Sequence, residues 1–203
     1  MEKQFEKKPS NESETIFRLR EELKEAKEKI RKLEEDRHVD ILTGLRTDAE
    51  PEMDKLIEEL KEHRNGPLSS IVVVYLDLNK FKQINDIHGH AVGDKAILKF
   101  VDRLQSLIKR TDTIFRLHGD EFVVIMPVGK GLTEEETISI FQRLHNGVSK
   151  FDMPVDNGEE KIIELSSSIG FAVYKEGDNA ETLMDKADKS MYENKEESRR
   201  RAS

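Results

Sequence analysis

Acidic residues stand next to apolar runs at two points in the sequence. Asp77 directly follows the apolar run at residues 71–76, and the pair Asp120 and Glu121 opens a second apolar run. A carboxylate at the tip of a buried strand is costly unless it binds a cation or several hydrogen-bond donors. If the two strands are neighbours, Asp77 and Asp120 meet, and paired carboxylates without His or Cys suit Mg²⁺ better than Zn²⁺. The alternative is that these acids only cap strand ends.

The segment after Asp77 has the features of a phosphate-binding loop. Residues 77–82 are DLNKFK, so the chain leaves an apolar strand through a short loop and enters a helical turn. Backbone amides at the start of a helix, together with Lys82, are suited to hold a phosphate group. The alternative is an exposed turn that is rich in lysine.

These residues depend on strands to position them. The β-branched run at residues 71–76 has no polar alternation, which predicts a strand that is buried on both faces. Two more strands are predicted at residues 113–117 and 121–126, with His118 and Gly119 at the bend. A type I′ turn needs a positive φ at both central residues, which Gly adopts freely and His more often than most residues. We therefore expect a tight hairpin there.

Helices are predicted from apolar spacing and from capping residues. Asp48 is the expected N-cap of the first helix. Thr133 starts another helix, where Glu136 completes a capping box. The first helix is predicted over residues 48–64, and two others over residues 91–108 and 182–195.

The remaining pattern completes one globular domain at residues 40–203. Residues 162–173 predict one or two strands, after a turn at residues 156–158. Because strands and helices alternate, the fold class is α/β (α+β), a central sheet flanked by helices.

The N-terminal residues predict a coiled coil. Apolar residues alternate at steps of three and four, the a and d positions of a heptad, in a segment without Gly or Pro. They are Ile16, Leu19, Leu23, Ala26, Ile30 and Leu33. We expect a flexible tail at residues 1–14 and a helix at residues 15–39 that pairs two chains into a homodimer. The alternative is an amphipathic helix that packs on its own domain.

Composition excludes several classes of protein. None of the 203 residues is Cys, so disulfides, thiolate nucleophiles and Cys-based metal sites are ruled out. The formal net charge of −8 argues against a nucleic-acid-binding surface. There is no run of about 18 apolar residues, and the first residues lack the apolar stretch of a signal peptide. We expect a soluble cytoplasmic protein without nucleic-acid or membrane partners.

Four motifs together resemble one known family. The segments LDLNKFKQINDIHGHAVGD, RLHGDEF, SIGFAVY and ADKSMYENKEESR follow the order and spacing of the GGDEF domain of diguanylate cyclases. The resemblance covers residues 40–199. It implies a palm-like sheet related to those of nucleotidyl cyclases and polymerases. It also implies an enzyme that joins two GTP molecules into cyclic di-GMP and releases pyrophosphate.

The resemblance implies a role for each matching residue. Asp77, Asp120 and the Leu78 carbonyl would bind Mg²⁺ (or Mn²⁺). Glu121 and Lys82 would assist catalysis beside them. The residues expected to hold the triphosphate are Lys80, Phe81, Lys82, Gly119, Lys195 and Arg199. Asn85 and Asp94 would bind guanine, whose N1–H and N2–H groups donate to a carboxylate, whereas adenine lacks these donors.

The signature departs from the family at its first position, where His118 replaces Gly. The imidazole is expected beside the triphosphate, where it would block the ligand or, if protonated, donate to it. Two functions stay open. One is an active homodimeric cyclase that acts on GTP under an upstream sensor or partner protein. The other is a catalytically inactive domain that binds GTP or a partner as a signalling module.

Overall fold

The computed structural model describes residues 18–20, 23–24, 38–62, 68–129, 133–156 and 160–202. The chain divides into two compact units, Met1–Val39 and Asp40–Ser203. In the first unit, residues 18–20 and 23–24 are helical. The predicted tail and most of the predicted coiled coil lie outside the described residues, so the coiled coil stays a prediction.

Helices and strands alternate along the second unit. In chain order they are α1 (Glu50–Glu62), β1 (Leu68–Leu78), α2 (Phe81–His88), α3 (His90–Leu107), β2 (Thr113–His118), β3 (Glu121–Gly129), α4 (Glu134–Val148), β4 (Phe151–Asp156), β5 (Glu160–Leu165), β6 (Ser167–Val173) and α5 (Ala180–Ala202). None of the helices that the structure describes combines the length and apolar content needed to cross a membrane.

A four-stranded antiparallel sheet lies at the centre of this unit, in the order β2-β3-β1-β6. The strands β4 and β5 form a separate antiparallel ribbon. Residues 162–173 therefore contribute to two strands in different sheets, and the predicted turn at residues 156–158 lies partly outside the described residues. The predicted fold class, a sheet flanked by helices, is confirmed.

The apolar run in β1 is buried on both faces, as its sequence predicts. Alternate side chains of a strand point to opposite faces. The even-numbered residues from Val72 to Leu78 belong to a core with α3 and α4. The odd-numbered residues from Ile71 to Tyr75 belong to a second core with α1 and α5. Asp77 continues the odd-numbered series and so lies on the α5 side of the sheet.

One of the two predicted helix caps is confirmed, and the other is wrong. Thr133 Oγ1 accepts a hydrogen bond from the Glu136 amide at 3.1 Å, and Glu136 Oε2 accepts one from the Thr133 amide at 3.0 Å, which completes the capping box. The first helix begins one residue later than predicted, because Ala49 provides the carbonyl of its first helical hydrogen bond. The carboxylate of Asp48 instead accepts a hydrogen bond from Arg46 Nε at 3.3 Å.

Candidate active site

A row of four residues crosses the central sheet at the end where the predicted acids lie. Asp77 on β1 is opposite Glu121 on β3 and Ser168 on β6. Glu121 in turn is opposite His118 on β2. Asp120 directly precedes Glu121. The antiparallel register of β1 and β3 therefore brings the acids of the two motifs to the same end of the sheet, where β1 ends and β3 begins.

Asp120 is close enough to Asp77 for their charges to interact. Its carbonyl accepts a hydrogen bond from the Leu78 amide at 3.1 Å. This bond joins the turn formed by Gly119 and Asp120, here named the signature turn, to the end of β1. Burial raises the pKa of Asp120 above its ordinary value of 3.8, and the negative charge of Asp77 raises it further. A cation between the two carboxylates would relieve this repulsion.

The oxygen donors at this end of the sheet fit a hard divalent cation. Carboxylate and carbonyl oxygens are the ligands of Mg²⁺ and Mn²⁺, and Mg²⁺ is usually bound by one or two carboxylates with substrate phosphates. Over the described part of the chain, no group of three or more His, Cys, Asp or Glu side chains is arranged to hold a metal ion. Asp77 and Asp120 would therefore need ligands from water or a bound phosphate.

Lys195 lies against the acids from α5. Its Nζ is 2.6 Å from Asp77 Oδ1, and the two side chains are 23% and 15% exposed. Lys195, which the resemblance assigns to the triphosphate, thus pairs in this structure with Asp77, which the resemblance assigns to the metal ion. Arg199 lies one turn further along α5, with its side chain outside the described part.

Close packing of α5 on β6 fixes the position of Lys195. A Cβ on Gly170 would lie 1.9 Å from the Met191 amide nitrogen, so only Gly allows this approach. Asn194 Nδ2 donates a hydrogen bond to the Ile169 carbonyl at 2.9 Å. These contacts hold the backbone beside Lys195 against β6.

The loop after Asp77 reverses the chain through a left-handed residue. Lys80 has φ 58° and ψ 23°, and its side chain does not cap α2. Asn79 holds the loop in place, because its backbone N–H donates to the Ser166 carbonyl and its Oδ1 accepts from Ser168 Oγ, both at 2.8 Å. The first turn of α2 presents the positive end of a helix dipole, which favours an anion.

A cavity of about 700 Å³ joins the acids, the loop and Lys195. Its lining comes from the end of β1, the loop, the signature turn, α4, the start of β6 and α5. The lining residues are Asp77, Leu78, Asn79, Lys80, Phe81, Lys82, Asp120, His145, Ser149, Ser166, Ser167, Ser168, Ile169, Asn194 and Lys195. Seven of the residues predicted from sequence, those from β1, the loop, the signature turn and α5, therefore share one concave site.

The predicted role of His118 in the turn is wrong. His118 is the last residue of β2, and the turn consists of Gly119 and Asp120. Only Gly119 has a positive φ there, at 53°, because the bend starts one residue later than expected. The imidazole is 73% exposed, with Nδ1 3.4 Å from Glu121 Oε2. It lies outside the cavity lining, so it does not block the cavity.

Arg116 connects the signature turn to the start of the second unit. Its Nε and Nη2 donate to the Gly119 carbonyl at 3.0 and 2.7 Å, and its Nη1 donates to Asp40 Oδ1 at 2.8 Å. Burial acts to raise the pKa of Asp40, but hydrogen bonds from Thr43 and Arg116 outweigh it and lower the pKa below 3.8. The carbonyl before Asp120 is thereby held by a charged side chain.

The residues predicted to bind guanine lie beyond the cavity lining, on α2 and α3. Asn85 is one helical turn from Phe81, which places both on the same side of α2. Asn85 Oδ1 is buried and, within the described structure, accepts no hydrogen bond. A Cβ on Gly93 would lie 1.9 Å from this oxygen, so Gly93 leaves the space that the amide occupies. Asp94, next along α3, is exposed.

Sequence reasoning missed two residues that surround Glu121. Tyr75 Oη donates a hydrogen bond to Glu121 Oε2 at 2.6 Å, and burial, with this bond, raises the pKa of Tyr75. Burial raises the pKa of Asp188 on α5, and the charge of Glu121 raises it further. Periodicity offered a signal for both: Tyr75 shares the strand face of Asp77, and Asp188 shares the helix face of Lys195.

Comparisons with known proteins match this architecture. A family model described as diguanylate cyclase, GGDEF domain, matches residues 37–201. Diguanylate cyclase DosC of Escherichia coli (strain K12) is 33% identical over 139 residues, which cover 68% of this chain and 29% of DosC. This chain therefore spans less than a third of that relative.

Two solved structures share the fold. A sensory box/GGDEF family protein from Caulobacter crescentus CB15 has a TM-score of 0.68 and 30% identity, covering 79% of this chain and 99% of that chain. The GGDEF domain of DgcB from Caulobacter crescentus, in complex with c-di-GMP, has a TM-score of 0.68 and 25% identity, covering 78% of this chain and 90% of that chain. By fold, motifs and family match, this chain belongs to the GGDEF domain family of diguanylate cyclases.

Proposed function

We propose that this chain is a diguanylate cyclase that works as a homodimer. Two GTP molecules become one cyclic di-GMP and two pyrophosphates. Each 3′-hydroxyl gives up its proton to solvent, and its oxygen forms a bond to the α-phosphorus of the other GTP. The bond from that phosphorus to the bridging oxygen of the β-phosphate breaks, and pyrophosphate leaves with its electron pair. The observation that carries the proposal is the placement of Asp77 and Asp120 side by side in a cavity that also contains a phosphate-type loop.

Asp77 and Asp120, with the Leu78 carbonyl, would hold Mg²⁺ or Mn²⁺. When bound, the ion would polarise the α-phosphate and lower the pKa of the attacking hydroxyl. Glu121 adds negative charge beside this pair, and its hydrogen bond from Tyr75 fixes its orientation. The raised pKa of Asp120 supports the assignment, because a group under like-charge repulsion gains most from a cation.

The triphosphate would lie along the first turn of α2. Amides of Lys80 and Phe81 and the side chain of Lys82 come from this turn. The backbone of Gly119, which precedes the cavity-lining Asp120, would add a contact from the signature turn. From α5, Lys195 and Arg199 would add positive charge. The helix dipole and these cations together favour a polyanion, despite the negative net charge of the chain.

Guanine would be read by Asn85 and Asp94. The buried Asn85 Oδ1 lacks a donor within the described structure, and the N1–H and N2–H groups of guanine are donors. Leaving a buried acceptor unpaired costs about 1–3 kcal/mol, so a ligand that pairs it gains selectivity over adenine. GTP is therefore the proposed substrate.

The remaining partners follow from the stoichiometry and the family. One cavity in each chain holds one GTP, so two chains must face each other, and the coiled coil at residues 15–39 is the proposed means of pairing. The complex of the DgcB domain with c-di-GMP supports the nucleotide as product. We place the protein in the cytoplasm, under an upstream sensor or partner protein.

Product formation tests the proposal. Purified protein is incubated with GTP and Mg²⁺, and cyclic di-GMP is followed by chromatography. Asp120→Asn should lower the rate by about 100-fold or more, because metal-ion stabilisation contributes several kcal/mol. Asp54→Asn, at an exposed position on α1, is the matched control and should leave the rate unchanged. Equal rates in the two variants would refute the assignment.

The second candidate, a GTP-binding module without turnover, depends on His118. Since the imidazole is exposed and lies outside the cavity lining, we expect His118→Gly to change the rate by less than about threefold. Tight GTP binding without product in the wild-type chain, with product restored by His118→Gly, would favour the module.

A further inference from the structure

The ion pair between Lys195 and Asp77 occupies a carboxylate that the proposed reaction assigns to a metal ion. Lys195 Nζ is 2.6 Å from Asp77 Oδ1, and both side chains are mostly buried. An ammonium group and a divalent cation repel each other strongly when they share one carboxylate oxygen. A metal ion that takes Asp77 Oδ1 must therefore move Lys195 away.

The surrounding charges make Lys195 an important counter-ion. Asp120 and Glu121 lie beside Asp77, and the charge of Asp188 on α5 interacts with those of Asp77 and Glu121. Burial and the charge of Asp77 raise the pKa of Asp120, whereas the charge of Lys195 acts in the opposite direction. One ammonium group thus offsets repulsion among several carboxylates.

The contacts that attach α5 to β6 fix the backbone beside Lys195 and do not involve its ammonium group. The neighbouring Asn194 is bonded to the Ile169 carbonyl at 2.9 Å, and Gly170 lets the helix pack against β6. The flexible four-carbon stem of Lys lets its charged end swing between nearby anions. Lys195 also lines the cavity next to the loop that begins α2, so phosphate oxygens there are within its range of motion.

We propose that Lys195 is a displaceable counter-ion that holds the place of the metal. It neutralises Asp77 in the empty cavity and transfers to a phosphate oxygen of the nucleotide when a divalent ion takes that carboxylate. The transfer to nucleotide rests on the proposed function, whereas the competition with metal rests on the ion pair alone.

Two consequences follow for binding. A divalent ion alone binds weakly, because it must first release Lys195 from Asp77. A bound ion then frees Lys195 for the phosphates, so ion and nucleotide strengthen each other's binding by the same factor.

The test measures Mn²⁺ binding by electron paramagnetic resonance, on the full chain without nucleotide. Lys195→Met keeps the stem and removes the charge, and Lys195→Gln is a second variant in case the first folds poorly. Lys186→Met is the matched control, because Lys186 is also on α5 and forms a similar ion pair, with Asp178 in the segment before the helix. We expect Mn²⁺ to bind about fivefold tighter to either Lys195 variant, and equally to wild type and the control.

An unchanged or weaker Mn²⁺ affinity in the folded Lys195 variants would overturn the proposal. An equal gain in Lys186→Met would also overturn it, because net charge alone would then explain the effect. For the transfer step, the factor by which Mn²⁺ tightens GTP binding should be about fivefold smaller in Lys195→Met, and an equal factor overturns it. Mn²⁺ binding without nucleotide does not depend on turnover, so an inactive protein would refute the cyclase without refuting the metal competition.

Discussion

Replacing Arg116 with Met should lower the free energy of unfolding by about 3 kcal/mol. The Arg116 side chain is 11% exposed, and it donates to Asp40 and twice to the Gly119 carbonyl. The charge-assisted bond to Asp40 is expected to contribute about 1.5–3 kcal/mol, and the two bonds that share one carbonyl about 1.5 kcal/mol together. Met retains an apolar stem, so the loss reports the guanidinium group more than the packing.

Urea unfolding followed by circular dichroism measures this loss. Asp40→Asn should cost about 1.5 kcal/mol, and the double variant should lose about 1–2 kcal/mol less than the sum of the single variants. Arg116→Lys should rescue little, because Lys lacks the planar fork that spans Asp40 and Gly119. A loss below about 0.5 kcal/mol in Arg116→Met, or full additivity in the double variant, would refute the reasoning.

Three further predictions concern single positions. Gly119→Ala should cost only about 1–2 kcal/mol in urea unfolding, because φ is 53° but a Cβ meets nothing within 4 Å; a much larger loss would mean that the turn is more crowded. Gly93→Ala should weaken GTP binding by about tenfold in calorimetry, because its Cβ displaces the Asn85 amide. Gly44→Ala, the control, has open space around its Cβ, so it should lower stability through its φ of 67° but leave GTP binding unchanged. The pKa of Asp40 is lowered in the folded state, so its contribution to stability is present above about pH 4 and is lost as the pH falls through the folded pKa. Asp40→Asn should therefore flatten that part of the pH profile of stability. An unchanged profile would contradict this reasoning.

Local patterns were sufficient for most of the fold. The β-branched run around Val73 predicted a strand buried on both faces. Such residues favour an extended backbone, and their apolar side chains are stabilised by burial. The capping box at Thr133 predicted the start of α4 because its two hydrogen bonds involve residues within one turn. The motifs around Asp77 and Asp120 predicted that two distant acids share one cavity, through the family resemblance.

Contacts that depend on how two strands are aligned, or on the exact residue at which a turn begins, could not be predicted from the sequence. His118 was expected inside the turn, but β2 continues through it and the bend starts at Gly119. The hydrogen bond from Tyr75 to Glu121 depends on which residues of β1 and β3 face each other. The pairing of Lys195 with Asp77 depends on how closely α5 packs on β6, which follows from three-dimensional contacts and not from local spacing.

The most direct measurement is the rate of cyclic di-GMP formation from GTP and Mg²⁺ over a wide range of protein concentrations. In the proposed reaction each cavity holds one GTP and two chains must meet, so we expect product whose rate per chain rises with concentration until the chains are paired. Asp77→Asn and Asp120→Asn should each lower this rate by about 100-fold or more while leaving the fold intact. GTP binding without cyclic di-GMP at any concentration would contradict the proposed cyclase.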